Sequence, residues 1–177
     1  MANTFYMMEA VNLFCGTADP TAGKHLTLAE LKLPDLQAIY ADHHAGGALI
    51  ATEFEVGIEK LEPTFKLNGT DPLLLKEFGL GARHRSTYTA YGVVRDQRSG
   101  KALEAKAIIE ARLGRVAPDA FQRGEMHGHE YAMNSVVHYE YWFDGQEMIA
   151  WDFFTSTWRV GGVDQNAEEN RILRING

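Results

Sequence analysis

The 177 residues include a single cysteine. Cys15 therefore has no partner for an internal disulfide and no companions for a cysteine-based zinc site. No apolar run approaches the ~20 residues that a membrane-spanning helix needs. The opening stretch, MANTFYMMEAVNLF, lacks a basic leader and carries Glu9 in its apolar part, which is not the pattern of a secretory signal. Basic residues are in deficit, with 17 Lys and Arg against 24 Asp and Glu and a net charge of -7. Gripping phosphate draws on a surplus of Lys and Arg, so the balance argues against a nucleic-acid clamp. It leaves room for a protein that surrounds nucleic acid without holding it. Linkers, repeats and low-complexity segments are also missing. What remains predicts one soluble domain over 1–177, made and folded in a reducing cytosol without membrane binding. A chain of this length buries roughly 70% of its unfolded surface, enough for a core without staples.

Most of the chain reads as strand. Residues 24–32 alternate at Leu26 and Leu28 and then shift parity to Leu31 and Leu33, which predicts a bulge or a strand end. Residues 35–52 have no clean strand period and predict an extended loop, longer than ordinary connections. Residues 53–67 return to strand. Phe54, Val56 and Ile58 are expected on the core side, with Glu53, Glu55 and Glu59 on an acidic outer face. In 70–79, Asp71 suits an N-cap, Pro72 the first helical position and Gly79 the C-terminal end. That predicts a two-turn helix leaning on Leu74, Leu75 and Phe78.

Residues 85–95 read as strand and 96–100 as a turn. Over 101–115 two signals conflict. The Ala, Glu, Lys and Leu content favours helix, yet Leu103, Ala105, Ala107, Ile109, Ala111 and Leu113 alternate with mostly charged residues. The alternation predicts strand. Over 131–158 two β-rich runs flank Asp144–Gly145, the signature of a type I′ hairpin turn. A strict register would set Val137 opposite Asp152, so a bulge is expected. From 125 to 158 there are six Asp and Glu and no Lys or Arg, whereas Arg83, Arg85, Arg95 and Arg98 cluster before it. That segregation predicts one surface with an electrostatic task.

Chemistry is thinly signalled. His127 and His129, with Glu125 and Glu130 nearby, form half of a metal site at most, and no third ligand is placed by spacing. Cys15 has no histidine near it in sequence. Ser99, Ser135 and Ser156 sit in no nucleophile motif. Gly46–Gly47 and Gly161–Gly162 lack the rest of a phosphate loop. Trp142, Trp151, Phe153, Phe154 and Trp158 suit a sandwich core or a subunit interface.

The order of landmarks carries more. Asn12-Leu13-Phe14 is followed by Leu33-Pro34-Asp35-Leu36, a Gly46-Gly47 loop, the 54–67 strand and a short helix ending in Phe78-Gly79-Leu80. Then come the Asp144-Gly145 hairpin with Trp151-Asp152 and a closing Gly162-Val163-Asp164-Gln165. Over about residues 10–170 this resembles the major tail tube proteins of contractile-tailed bacteriophages, a family shared with the tubes of R-type pyocins.

The resemblance implies a mainly β tail-tube fold, with two packed antiparallel sheets, sandwich- or barrel-like, and one short flanking helix. It implies a structural subunit and no enzyme or cofactor. Homohexameric rings would stack into a channel for DNA or an effector, with DNA passing without tight binding. The implied partners are further copies of the chain, the tail sheath protein, the tape measure and the baseplate or terminator proteins. The implied location is the virion tail, assembled in the host bacterial cytoplasm. On that footing Glu53, Glu55, Glu59, Glu104 and Glu110 are candidates to line the lumen. His43, His44, Gly46 and Gly47 are candidates for a loop between rings. The alternative reading is a small β-barrel that binds a ligand or acts as a metalloenzyme through His127 and His129.

Overall fold

The computed structural model describes residues 4–16, 20–47, 49–79 and 84–175. Ala48, Leu80 and Arg83 lie outside them. In chain order the elements are β1 (Tyr6–Cys15), β2 (Leu28–Lys32), β3 (Ala38–His43), β4 (Thr52–Ile58), β5 (Thr64–Asn68), α1 (Pro72–Glu77), β6 (Ser86–Asp96), β7 (Ala102–Pro118), β8 (Gly128–Phe143), β9 (Gln146–Asp152), β10 (Thr157–Val160), β11 (Val163–Asp164) and α2 (Ala167–Leu173). The protein is mainly β, in two antiparallel sheets. A nine-stranded sheet runs β1-β6-β7-β8-β9-β10-β11, with β5 joined to β8 and β2 to β5. A separate two-stranded sheet pairs β3 with β4.

The long strand β7 settles the helix–strand conflict in favour of alternation. Leu103, Ala105, Ala107, Ile109, Ala111 and Leu113 are all buried, and the intervening residues face outward. The summed helix propensity amounts to tenths of a kcal/mol per residue. Burying six apolar side chains on one face outweighs it. β8 pairs with β7 along most of its length, but with β5 over its first half and with β9 over its second. The β7–β8 register shifts between Glu110 and Arg112 and again between Leu113 and Arg115, and Ser135 takes φ 51. Bulges bend a strand pair. Here they bring the β2–β5 layer over the β1–β6–β7 layer.

The core sits between those layers. Phe65 on β5 stacks on Tyr131 of β8, with centroids 4.9 Å apart, and reaches Tyr88 of β6 at 6.2 Å. Leu13, Leu67, Ile109, Met133 and Tyr139 belong to the same cluster. The parity shift in 24–32 is a real irregularity, a register change between Leu28 and Glu30 against β5.

Asp71 caps α1 as expected, with its Oδ1 accepting the N–H groups of Leu73 and Leu74 at 3.1 Å. Lys24 Nζ donates to the other oxygen at 2.6 Å. Leu74 is buried and Leu75 packs on the core, but Phe78 is exposed. The helix leaves through Phe78 in extended backbone. At the hairpin, Asp144 and Gly145 both have positive φ, 46 and 77, which is the type I′ requirement. The expected bulge follows: Phe143 faces Gln146 and Trp142 faces Glu147, then one extra residue of β9 sets Tyr141 opposite Ile149. Asp152 thereby meets His138 instead of Val137.

Three expectations need correction. The 35–52 excursion contains β3 and the turn of a β-hairpin, so His43 is a strand residue paired with Thr52. β4 is not half-buried: Phe54, Val56 and Ile58 are all exposed, and β4 stands apart from the main sheet. There are two α-helices among the described residues. The second, α2, buries no side chain and is tied down through Asn166 and Asn170, whose Nδ2 groups donate to the Ser156 carbonyl at 3.1 and 2.9 Å.

Candidate functional site

The five carboxylates proposed for a lumen are divided between two sheets, Glu104 and Glu110 on the main one, Glu53 and Glu55 on the two-stranded one with Glu59 just after it. Glu104 and Glu110 stand on the outward face of β7, with Lys106 and Ile108 between them. On the same face of the main sheet lie Glu9, Glu140, Glu147 and Asp152, interleaved with Arg95, Lys106 and Arg159. Arg95 Nε bonds both oxygens of Glu9 at 2.8 and 2.9 Å. Arg159 holds Glu147 in a two-point clasp at 2.9 and 2.8 Å, which keeps the Glu147 carboxyl below its ordinary pKa.

The charge segregation along the chain therefore folds into alternation in space. The acidic 125–158 stretch meets Arg115 at Glu130, Lys101 at Asp144 and Arg159 at Glu147, each cation coming from outside that stretch. Basic residues donated by adjacent strands are invisible to a reading along the sequence.

A polar cluster on that face carried no sequence motif. His138 Nδ1 lies 3.0 Å from Asp152 Oδ2, and its Nε2 lies 3.1 Å from Glu140 Oε1. Trp142 Nε1 donates to the other Glu140 oxygen at 2.7 Å. Asp152 Oδ1 also accepts the N–H groups of Phe154 and Thr155 at 2.9 Å, fixing the β9–β10 turn. Burial pushes the Asp152 carboxyl up, but the Thr155 N–H and His138 outweigh it, and its pKa lies below the ordinary value. The available signal was His138, Glu140 and Trp142 at period two on one strand face.

Glu53 and Glu55 belong to the β3–β4 arm. Cross-strand pairing joins Tyr40 to Glu55 and Asp42 to Glu53 on one face, and Ala41 to Phe54 and His43 to Thr52 on the other. A register shift between Ile39 and Tyr40 moves Ile58 onto the acidic face, away from Phe54. His43 lies against Phe54 at 5.8 Å between ring centroids. Gly46 and Gly47 occupy the turn, followed by Leu49 and Ile50 with almost complete exposure, 101% and 83%. Asp42, Glu53, Glu55 and Glu59 make no salt bridge among the described residues. Glu59 lies just past β4, where its N–H donates to the Gln37 carbonyl at 2.8 Å.

Beside the arm's root opens a groove of about 680 Å³. Trp151 and Trp158, directly paired across β9 and β10, form its floor with Val160, and Ile58 and Leu61 its wall. Glu55 and Glu59 stand at its rim. The two tryptophans lie on the core side of the sheet, where the β2–β5 layer no longer covers it.

His127 and His129 do come together, with ring centroids 5.2 Å apart. His129 is buried, stacks on Tyr131 and directs Nδ1 to the Gly69 carbonyl at 3.3 Å. No group of three or more His, Cys, Asp or Glu able to hold a metal occurs among the described residues. The intervening glycine answers to packing: a Cβ on Gly128 would sit 2.5 Å from the Leu67 backbone oxygen. Gly128→Ala is expected to push β5 off β8 and to cost about 1–3 kcal/mol, the usual range for overpacking. A urea midpoint unchanged from the parent would contradict this.

Cys15 is partly buried, and burial pushes its thiol up to about 12, so it is a poor nucleophile. Ser99 bonds Asp96 at the β6–β7 turn, and Ser135 and Ser156 take positive φ at a bulge and a turn. Among the described residues none of the three serines hydrogen-bonds a histidine or lysine side chain.

Among the solved structures that share the fold are two from one contractile injection system. One is the sheath/tube terminator of an extracellular contractile injection system, PVC, in its extended state. It has TM-score 0.52 and 9% identity over 72% of this chain and 91% of that one. The other is the PVC sheath-tube complex in its extended state, with TM-score 0.52 and 9% identity over 72% of this chain and 86% of that one. No curated protein sequence matches the chain. The alternating β7, the Asp144–Gly145 hairpin and the exposed arm all fall within residues 10–173, which match the family model described as phage tail tube protein FII; the chain belongs to that family.

Proposed function

We propose that this tail tube subunit is a non-catalytic building block that closes into a homohexameric ring, and that such rings stack into a hollow tube in the virion tail. The observation that carries this reading is the β3–β4 arm. Both of its faces are open, and Ile39, Tyr40, Phe54 and Val56 are all exposed. An isolated subunit leaves that apolar surface in water, whereas neighbouring copies would cover it. Head-to-tail contacts of this kind close into rings and stack into filaments. His43, His44, Gly46 and Gly47 then sit on the arm that reaches between rings. The sheath, the tape measure and the baseplate or terminator proteins are the partners of such a tube, assembled in the host cytoplasm. Mass photometry of the purified chain should give a species with the mass of a hexamer of the 19.8 kDa subunit. A strictly monomeric protein at every concentration, with or without other tail components, would overturn the reading.

The outward face of the main sheet suits the bore. It carries Glu104 and Glu110 with further carboxylates and fewer bases, and every cation named on it except Lys106 is held by a carboxylate. Like charge is felt within about 8 Å at physiological salt, so DNA would slide along such a wall without sticking. Reversing both residues, Glu104→Lys with Glu110→Lys, should leave tubes that retain double-stranded DNA at low salt and release it as salt rises. Parent and variant tubes with the same DNA retention would exclude this face from the bore.

A further inference from the structure

The groove beneath the arm is an unfinished piece of core. Over β6 to β8 the inner face of the main sheet is covered by β2 and β5, which bury Phe65, Leu67 and Tyr131. Over β9 and β10 it is bordered by residues 57–61 and by Gln165 and Asn166, and the Trp151–Trp158 pair is left half-exposed above about 680 Å³ of open space. Tryptophan in a half-open apolar cleft is the typical anchor of a protein contact. The rim adds sign: Glu55, Glu59 and Lys60 border the cleft, Lys60 is held by Glu62 at 2.8 Å, and Glu55 and Glu59 make no salt bridge among the described residues.

A complementary segment lies at the far end of the helix that begins beside the groove. The tail helix α2 and the residues after it read Arg171-Ile172-Leu173-Arg174-Ile175. α2 buries none of its side chains, and Ile172 and Leu173 are about two-thirds exposed. Among the described residues Arg171 meets only Glu168, at 3.9 Å and in the open, and Arg174 makes no salt bridge. The two cations flank the apolar pair Ile172–Leu173, which suits an apolar cleft bordered by the unpaired Glu55 and Glu59. In its own chain α2 is pinned to the Ser156 carbonyl and only its N-cap Asn166 lines the groove, while Ile172 and Leu173 stay exposed. A second copy can present the same helix from outside.

We propose that the tail helix of one subunit docks into the Trp151–Trp158 groove of a neighbour, with Ile172 and Leu173 on the tryptophans and Arg171 and Arg174 at Glu55 and Glu59. The contact is head-to-tail, since groove and helix are different patches of one chain. It rests on the ring reading above and names the surfaces that hold neighbours together. It also assigns Glu55 and Glu59 to a subunit contact, not to the bore.

The test is a cysteine pair, Val160→Cys with Leu173→Cys. Both positions are exposed, so the subunit should fold, and the native Cys15 thiol is too poorly ionised to compete. In ring-forming preparations, oxidation should give covalent dimers and higher ladders on a non-reducing gel, each single variant giving none. Trp emission should shift to the blue on assembly of the parent chain and not of Leu173→Asp. Rings that form with no disulfide, or with one confined to a single chain, overturn the docking and leave the ring reading standing. Absence of rings at every concentration overturns both.

Discussion

Replacing Phe65 with alanine is expected to remove about 3–5 kcal/mol of folding stability, the usual cost of truncating a buried aromatic ring. Phe65 is 1% exposed, stacked on Tyr131 and tilted against Tyr88. With Leu67 it is one of the two side chains that β5 buries between the layers of the main sheet, so its loss leaves a void in the core. The informative control is Phe54→Ala. The alternation in 53–67 places Phe54 on the core side of its strand, yet its ring is exposed on the arm. A surface truncation of that kind should stay within about 0.5 kcal/mol. Urea unfolding of the two variants, with similar m-values, separates these expectations. Equal losses at both sites would mean that the arm packs on the core.

The second large effect concerns assembly. Residues 44–51 can be replaced by Asn-Gly, because His43 and Thr52 already face each other across the arm and a two-residue type I′ turn closes such a pair. The shortened subunit should melt with the parent, since the removed residues that are described contribute no buried side chain. Its stacking should be lost. A strand of six residues spans about 20 Å, so the arm tip, with Leu49 and Ile50 exposed, reaches well beyond the subunit's own core. Sedimentation of parent and variant at matched concentrations measures this. Tubes of normal length from the variant would show that the arm tip is not the stacking element.

Legibility in the sequence tracked how local the deciding physics is. The alternation of β7, the capping of α1 by Asp71 and the Asp144–Gly145 turn each depend on a few neighbouring residues, and each stands as read. The β9 bulge was legible from a mismatch, because Asp152 could not face Val137 on an apolar side. The arm was not. Alternation in 53–58 says only that two faces differ, and Phe54, Val56 and Ile58 look like core residues whether their cover is the same chain or another copy. The bulge opposite Ile39 then changed which face Ile58 joins. α2 was missed because it has no buried stripe to give it period, only Asn166 and Asn170 holding a turn carbonyl. The His138–Glu140–Asp152 cluster and the ion pairs at Glu130 and Glu147 depend on strand neighbours, which a linear reading cannot supply.

The central claim, that this chain is a tail tube subunit that builds closed rings, is tested most directly by negative-stain electron microscopy of the purified protein over a range of concentrations. The account predicts six-fold rings with a central hole, and stacked tubes as concentration rises. Small featureless particles at every concentration, with or without other tail components, would contradict it.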